Sequence, residues 1–109
     1  MAHHADRIDS LQEIEGRYGV ILSDVWGVVH NGVRAFSDAS QALAAARARG
    51  LAVVLITNAP RPRAEVQAQL DILGVPRDAY DRIVTSGDVT RDLIKVGARR
   101  VFHLGPERD

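Results

Sequence analysis

Apolar residues along the chain gather into four short runs, separated by three stretches in which they recur every three or four positions. The runs are Gly19 to Ser23, Leu51 to Ile56, Arg82 to Thr85 and Arg100 to Leu104, each of strand length. Between the first two, Asp38 to Arg49 places Ala39, Ala42, Leu43 and Ala46 at helical spacing, with Gly50 positioned as a C-terminal cap. Pro62 to Leu73 sets Val66, Leu70 and Leu73 on one face, starts on a proline and stops at Gly74 and Pro76. A third helix is predicted over Gly87 to Val96, with Ser86 as N-cap, Val89, Leu93 and Val96 as its stripe, and Gly97 behind it. A short helix over Ser10 to Glu15 precedes the first strand.

The resulting order, β-α-β-α-β-α-β, implies parallel strands joined by right-handed helical crossovers, and hence a three-layer α/β fold. The strands read as continuous apolar runs, which suits burial on both faces. The ends of the first three strands lie about thirty residues apart, the size of a βαβ unit, and the last interval, Thr85 to Val101, is shorter. The division expected is an N-terminal arm and short helix over 1–17, a core segment over 18–97, and either a last core strand or the start of another domain over 98–109.

Composition narrows the partners. The 109 residues are 46% hydrophobic and 26% charged, ordinary values for one globular domain. Fourteen basic and fourteen acidic side chains cancel, leaving no net field to attract nucleic acid or membrane. With no cysteine there are no disulfides or thiolate metal sites, which is compatible with a cytoplasmic location. The N-terminal residues lack the apolar core of a signal peptide, and no apolar run is long enough to span a bilayer. His3 and His4 are read as a flexible start in preference to a chelating pair.

The chemistry sits at the strand ends. In a parallel sheet the carboxyl ends of the first three strands carry Asp24, then Thr57 and Asn58, then Thr85 and Ser86, all at one edge, where ligands of such sheets bind. Asp24 is either a turn residue or a nucleophile. Thr57 and Asn58 either cap the following helix or hold an anion where a hydroxyl and free N–H groups converge. A carboxylate beside a phosphate-binding hydroxyl needs a divalent cation to approach a phosphoryl group, and Mg²⁺, a hard ion taking oxygen ligands, suits both. An aspartate so placed can split hydrolysis into two steps through an acyl phosphate.

Asp24-Val25-Trp26-Gly27-Val28, followed one βαβ unit later by Thr57-Asn58, resembles motifs I and II of the haloacid dehalogenase superfamily. Leu55 to Arg61 and Val84-Thr85-Ser86-Gly87 resemble its class IIA members, sugar and nucleotide phosphatases whose cap domain is inserted after motif II. The resemblance covers about Tyr18 to the end. It implies a mostly parallel, Rossmann-like sheet with helices on both faces, interrupted where the cap begins, so that the chain is expected to be an N-terminal portion. It also implies that Asp24 is nucleophile and Mg²⁺ ligand, that the backbone carbonyl of Trp26 is a second ligand, and that Thr57 and Asn58 hold phosphate. Val28 to Val33, turning at Asn31-Gly32, resembles the family's flap, and Asn-Gly is itself a hairpin signal. The activity implied is a Mg²⁺-dependent phosphatase-like hydrolysis of a small phosphorylated metabolite. Uncovered sheet edges and apolar helix faces make self-association a further expectation.

Five features depart from that pattern or compete with it. Trp26 stands where most phosphatases of the superfamily carry a second aspartate as general acid and base, a role indole cannot fill. Dehalogenase-like or phosphonatase-like cleavage through the same Asp24 ester, and a non-catalytic phospho-ligand-binding module, are therefore the rival readings. The single lysine, Lys95, falls off its helix's apolar stripe and reads as solvated. Asp88 and Asp92, one turn apart after Gly87, are either the superfamily's late metal-binding acids or part of a linker helix, the preferred reading. Sheet order separates the two: a third strand beside the first favours metal binding, and one outboard of the second favours the linker. Arg61 and Arg63 are read as solvated in preference to substrate-binding, and His30 as an exposed polar residue.

Overall fold

A computed structural model describes residues 5–97 and 100–109, so His3 and His4 lie outside the described residues. Three parallel strands form the sheet: β1 (Val20–Ser23), β2 (Ala52–Thr57) and β3 (Arg82–Thr85), in the order β1-β2-β3. Ser23 pairs with Leu55 and Thr57 with Thr85. β3 therefore lies outboard of β2, the arrangement that favours the linker reading of the segment that follows it.

The helices are α1 (Gln12–Glu15), α2 (Ser37–Ala48), α3 (Arg63–Leu73) and α4 (Ser86–Val96). α3 ends where Gly74 takes a left-handed conformation at φ 93°, which a side chain would strain. Two right-handed crossovers in one direction put α2 and α3 on the same face. There Leu43, Val66 and Leu70 close over Val53, Leu55 and Ile83 as a single core. Each such side chain contributes about 1.5–3 kcal/mol on full burial. α4 leaves toward the opposite face, its Val89 bordering a shallow depression with Ile56 and Val84. Among the described residues no helix is long and apolar enough to cross a membrane.

The fourth strand expected at Arg100 to Leu104 does not form: these residues join no ladder, and Val101, Phe102 and Leu104 are exposed. The segment joins neither open edge of the sheet, and lies instead beside Pro60 and α4, where Val101, Phe102 and Leu104 line a depression with Gly87 and Ile94.

Polar clasps hold the strand ends in place. At the entry to β3, the Asp81 N–H donates to the Val53 carbonyl of β2 at 2.8 Å. Its carboxylate accepts the Val53 N–H at 2.7 Å and pairs with Arg47 of α2 at 2.8 Å. The Val53 N–H first, and the Arg47 guanidinium second, hold the Asp81 carboxyl below its ordinary value. At the other end, the Gly87 N–H donates to the Ala59 carbonyl at 3.1 Å. A Cβ on Gly87 would overlap the Pro60 carbonyl, so only glycine lets α4 start against the loop after β2.

Candidate active site at the carboxyl edge of the sheet

Parallel pairing brings Asp24, which follows β1, beside Asn58, which follows β2. The two share a shallow depression with Leu22, Ser23 and Ile56. Asp24 is exposed; one carboxylate oxygen, Oδ1, accepts the N–H of Val25 at 2.8 Å, which orients the group while leaving Oδ2 available. Asn58 also lines the adjoining cleft of about 410 Å³, with Trp26, His30, Thr57, Pro60, Arg61 and Gln69 among its walls.

Thr57 and Asn58 do not cap α3. That helix begins five residues later, with Pro62 at the cap position and no side-chain cap bond. The Asp88 carboxylate accepts the Arg63 N–H at 3.1 Å, serving the helix start from a distant segment. The Thr57 hydroxyl oxygen instead accepts the Ala59 N–H at 3.2 Å, a local turn that leaves its hydrogen free to donate. Thr57 is buried and Asn58 exposed, so the pair has a fixed root and an open tip.

Asp88 is occupied otherwise as well: its own N–H donates to the Thr85 hydroxyl at 3.0 Å, capping α4. Asp92 is exposed with Lys95 4.0 Å away, so neither residue joins Asp24. Among the described residues no three acidic, His or Cys side chains gather into a metal-binding group. Arg61 is half-buried in the cleft wall, whereas Arg63 is exposed and lines a different depression with Tyr80 and Arg82.

The loop after Asp24 turns at Asn31-Gly32 as expected and returns antiparallel through a single bridge, His30 with Ala35, flanked by the Phe36 N–H donating to the Val29 carbonyl at 2.8 Å; no longer ladder forms. The Val25 carbonyl accepts the N–H groups of Val28 and Val29, at 3.2 and 2.8 Å, in a helix-like turn. Asn31 Oδ1 then accepts those of Val33 and Arg34, both at 3.0 Å, because an Asn side chain can mimic a backbone turn. His30, expected to be exposed, is 1% exposed. Its Nδ1 accepts the Gly32 N–H at 2.9 Å, its carbonyl accepts the Gly27 N–H at 2.8 Å, and its ring lies against Trp26. Burial pushes the His30 imidazole below its ordinary value. The sequence signal that could have exposed this role is Gly32, whose positive φ of 86° marks a tight return of the chain onto the loop.

A family model described as haloacid dehalogenase-like hydrolase matches residues 21–109. The chain belongs to this family. Its fold is likewise similar to the crystal structure of a hydrolase of the haloacid dehalogenase-like family from Brucella suis 1330, with a TM-score of 0.87 and 56% sequence identity. The match covers 94% of this chain and 38% of that one, so the chain spans less than two fifths of the Brucella protein's length. No curated protein matches the chain. The outboard β3 agrees with the class IIA order of elements.

Proposed function

We propose that this segment carries the nucleophile and phosphate-binding half of a Mg²⁺-dependent phosphatase-like site acting on a small phosphorylated metabolite, in the cytoplasm. The observation supporting it is the pairing of an exposed, oriented Asp24 with Asn58, next to a Thr57 hydroxyl whose hydrogen is free.

The oxygens at hand suit a hard cation. Asp24 Oδ2 and the Trp26 carbonyl accept no hydrogen bond among the described residues, and Mg²⁺ is usually held by one or two carboxylates with the remaining places left to water and substrate phosphate. When bound, Mg²⁺ supplies charge neutralisation between carboxylate and phosphoryl group. The chain's own work is the rest. Thr57 and Asn58 donate hydrogen bonds to the phosphoryl oxygens and orient the phosphorus toward Asp24. The Asp24 carboxylate attacks phosphorus, the P–O bond to the leaving group breaks, and water then cleaves the aspartyl phosphate, returning free carboxylate and phosphate.

Trp26 favours a second reading, phospho-ligand binding with slow or no turnover. Indole offers no acid or base, and general acid–base catalysis contributes typically ~10²- to 10⁴-fold. One assay separates the two: phosphate release from a panel of monoesters by the full-length protein with Mg²⁺, beside Asp24→Asn. The phosphatase reading expects release by the wild type and a loss of about 10³-fold or more in the variant. Tight phosphate binding without release would leave the second reading standing.

A further inference from the structure

Trp26 is the chain's single tryptophan, and it is 60% exposed at the rim of the cleft. An exposed indole forgoes much of the stabilisation its burial would give. It is nevertheless fenced in. The His30 ring meets it in a T-shaped contact with centroids 5.3 Å apart, and His30 is itself buried and bonded to the Gly32 N–H. Gly32 abuts the six-membered ring so closely that a Cβ there would overlap Cη2 and sit 2.7 Å from Cζ2. A large aromatic surface is thus held ready in one place, which lowers the entropy lost when a ligand settles on it.

The cleft it borders has a mixed lining. Thr57, Asn58 and Arg61 supply hydroxyl, amide and positive charge, Trp26, Pro60 and Val66 supply flat or apolar surface, and Arg108 and Asp109 add one charge of each sign. We propose that Trp26 is a stacking platform for the leaving group, selecting phosphorylated compounds that carry an aromatic ring beside the phosphate. The inference rests on the phosphate-binding reading of Thr57 and Asn58 and adds to it the class of substrate. It also gives a use to the position where a second acid was expected: the indole recognises the leaving group.

The test is calorimetric titration of the full-length protein, in saturating Mg²⁺, with phenylphosphonate and methylphosphonate, which share the anionic head and differ in the ring. The wild type is expected to bind phenylphosphonate about tenfold more tightly, as base–aromatic stacking does elsewhere. Trp26→Phe should keep most of that preference and Trp26→Ala should lose it. The difference in tryptophan emission between the wild type and Trp26→Phe should change saturably with phenylphosphonate at the calorimetric midpoint. Equal affinity of the wild type for the two phosphonates would overturn the stacking inference alone, as would equal weakening of both by Trp26→Ala or an unchanged emission difference. Failure of both phosphonates to bind would overturn the phosphate site as well.

Discussion

On one face of the sheet Leu55 is 0% exposed beneath α2 and α3; on the other, Leu22 is 66% and Ile56 42% exposed. Both faces are built from the same aliphatic residue types, since Val20, Leu22, Ile56 and Val84 alternate along the strands with Ile21, Ser23, Leu55, Thr57 and Ile83. Hydropathy therefore does not distinguish them, and coverage does. Strands apolar on both sides belong to sheets buried on both sides, and α4 with Val89 makes only a beginning of the second layer. The covered face sets stability and fixes the strand ends, while the edge between the faces is where Asp24, Thr57 and Asn58 emerge.

The largest effect expected from breaking this contrast is on the covered face. Leu55→Ala should destabilise the chain by about 2–5 kcal/mol, because the site is closed on all sides and a cavity remains. The midpoint and slope of a urea titration give the number; a loss below 1 kcal/mol would mean that the two faces are energetically alike.

Next comes the joint between β2 and α4. Gly87→Ala puts a methyl into the Pro60 carbonyl, and the shift needed to relieve it should cost about 1–3 kcal/mol. Because that loop carries Thr57 and Asn58, phosphate binding should weaken along with stability. A variant as stable as the wild type would show that α4 is free to stand off the loop.

Much of this arrangement can be read from the residues alone. The strand and helix positions follow from periodicity and from Gly50, Gly74 and Pro62, and differ from those observed by a residue or two at their ends. Asp24, Thr57 and Asn58 are visible because a polar residue ending an apolar run is conspicuous. What escapes is whatever depends on a partner far along the chain. Asp88 serves the Arg63 N–H across 25 positions, so its clasp cannot be told from a metal-binding acid by spacing. His30 is buried by the return of the loop at Gly32, which the Asn-Gly pair announces only as a turn. Arg100 to Leu104 has the hydropathy of a strand yet pairs with neither edge of the sheet, and hydropathy records the wish for burial, not its fulfilment.

A smaller effect is expected at Asp81, whose carboxylate is a third exposed. Its folded value lies below the ordinary 3.8, so the bonds to Val53 and Arg47 stabilise the chain fully above that value and are lost as pH falls below it. Asp81→Asn keeps an oxygen for the Val53 N–H and has nothing to titrate. Acid unfolding of the variant should therefore be less steep below pH 3.8 than that of the wild type, and identical acid limbs would remove Asp81 from the account of how β3 is held.

The smallest effect is expected on the open face. Leu22→Gln places an amide where the side chain is already two thirds exposed, so little apolar area is returned to water and no buried polar group is created. The change in the stability of this chain should stay within about 0.5 kcal/mol, the range of surface substitutions away from special features. Measured beside Leu55→Ala in the same titration, this substitution isolates coverage from composition. Both replace a leucine in a parallel strand of the same sheet, and a loss at Leu22 approaching that at Leu55 would mean that the second face is covered in solution.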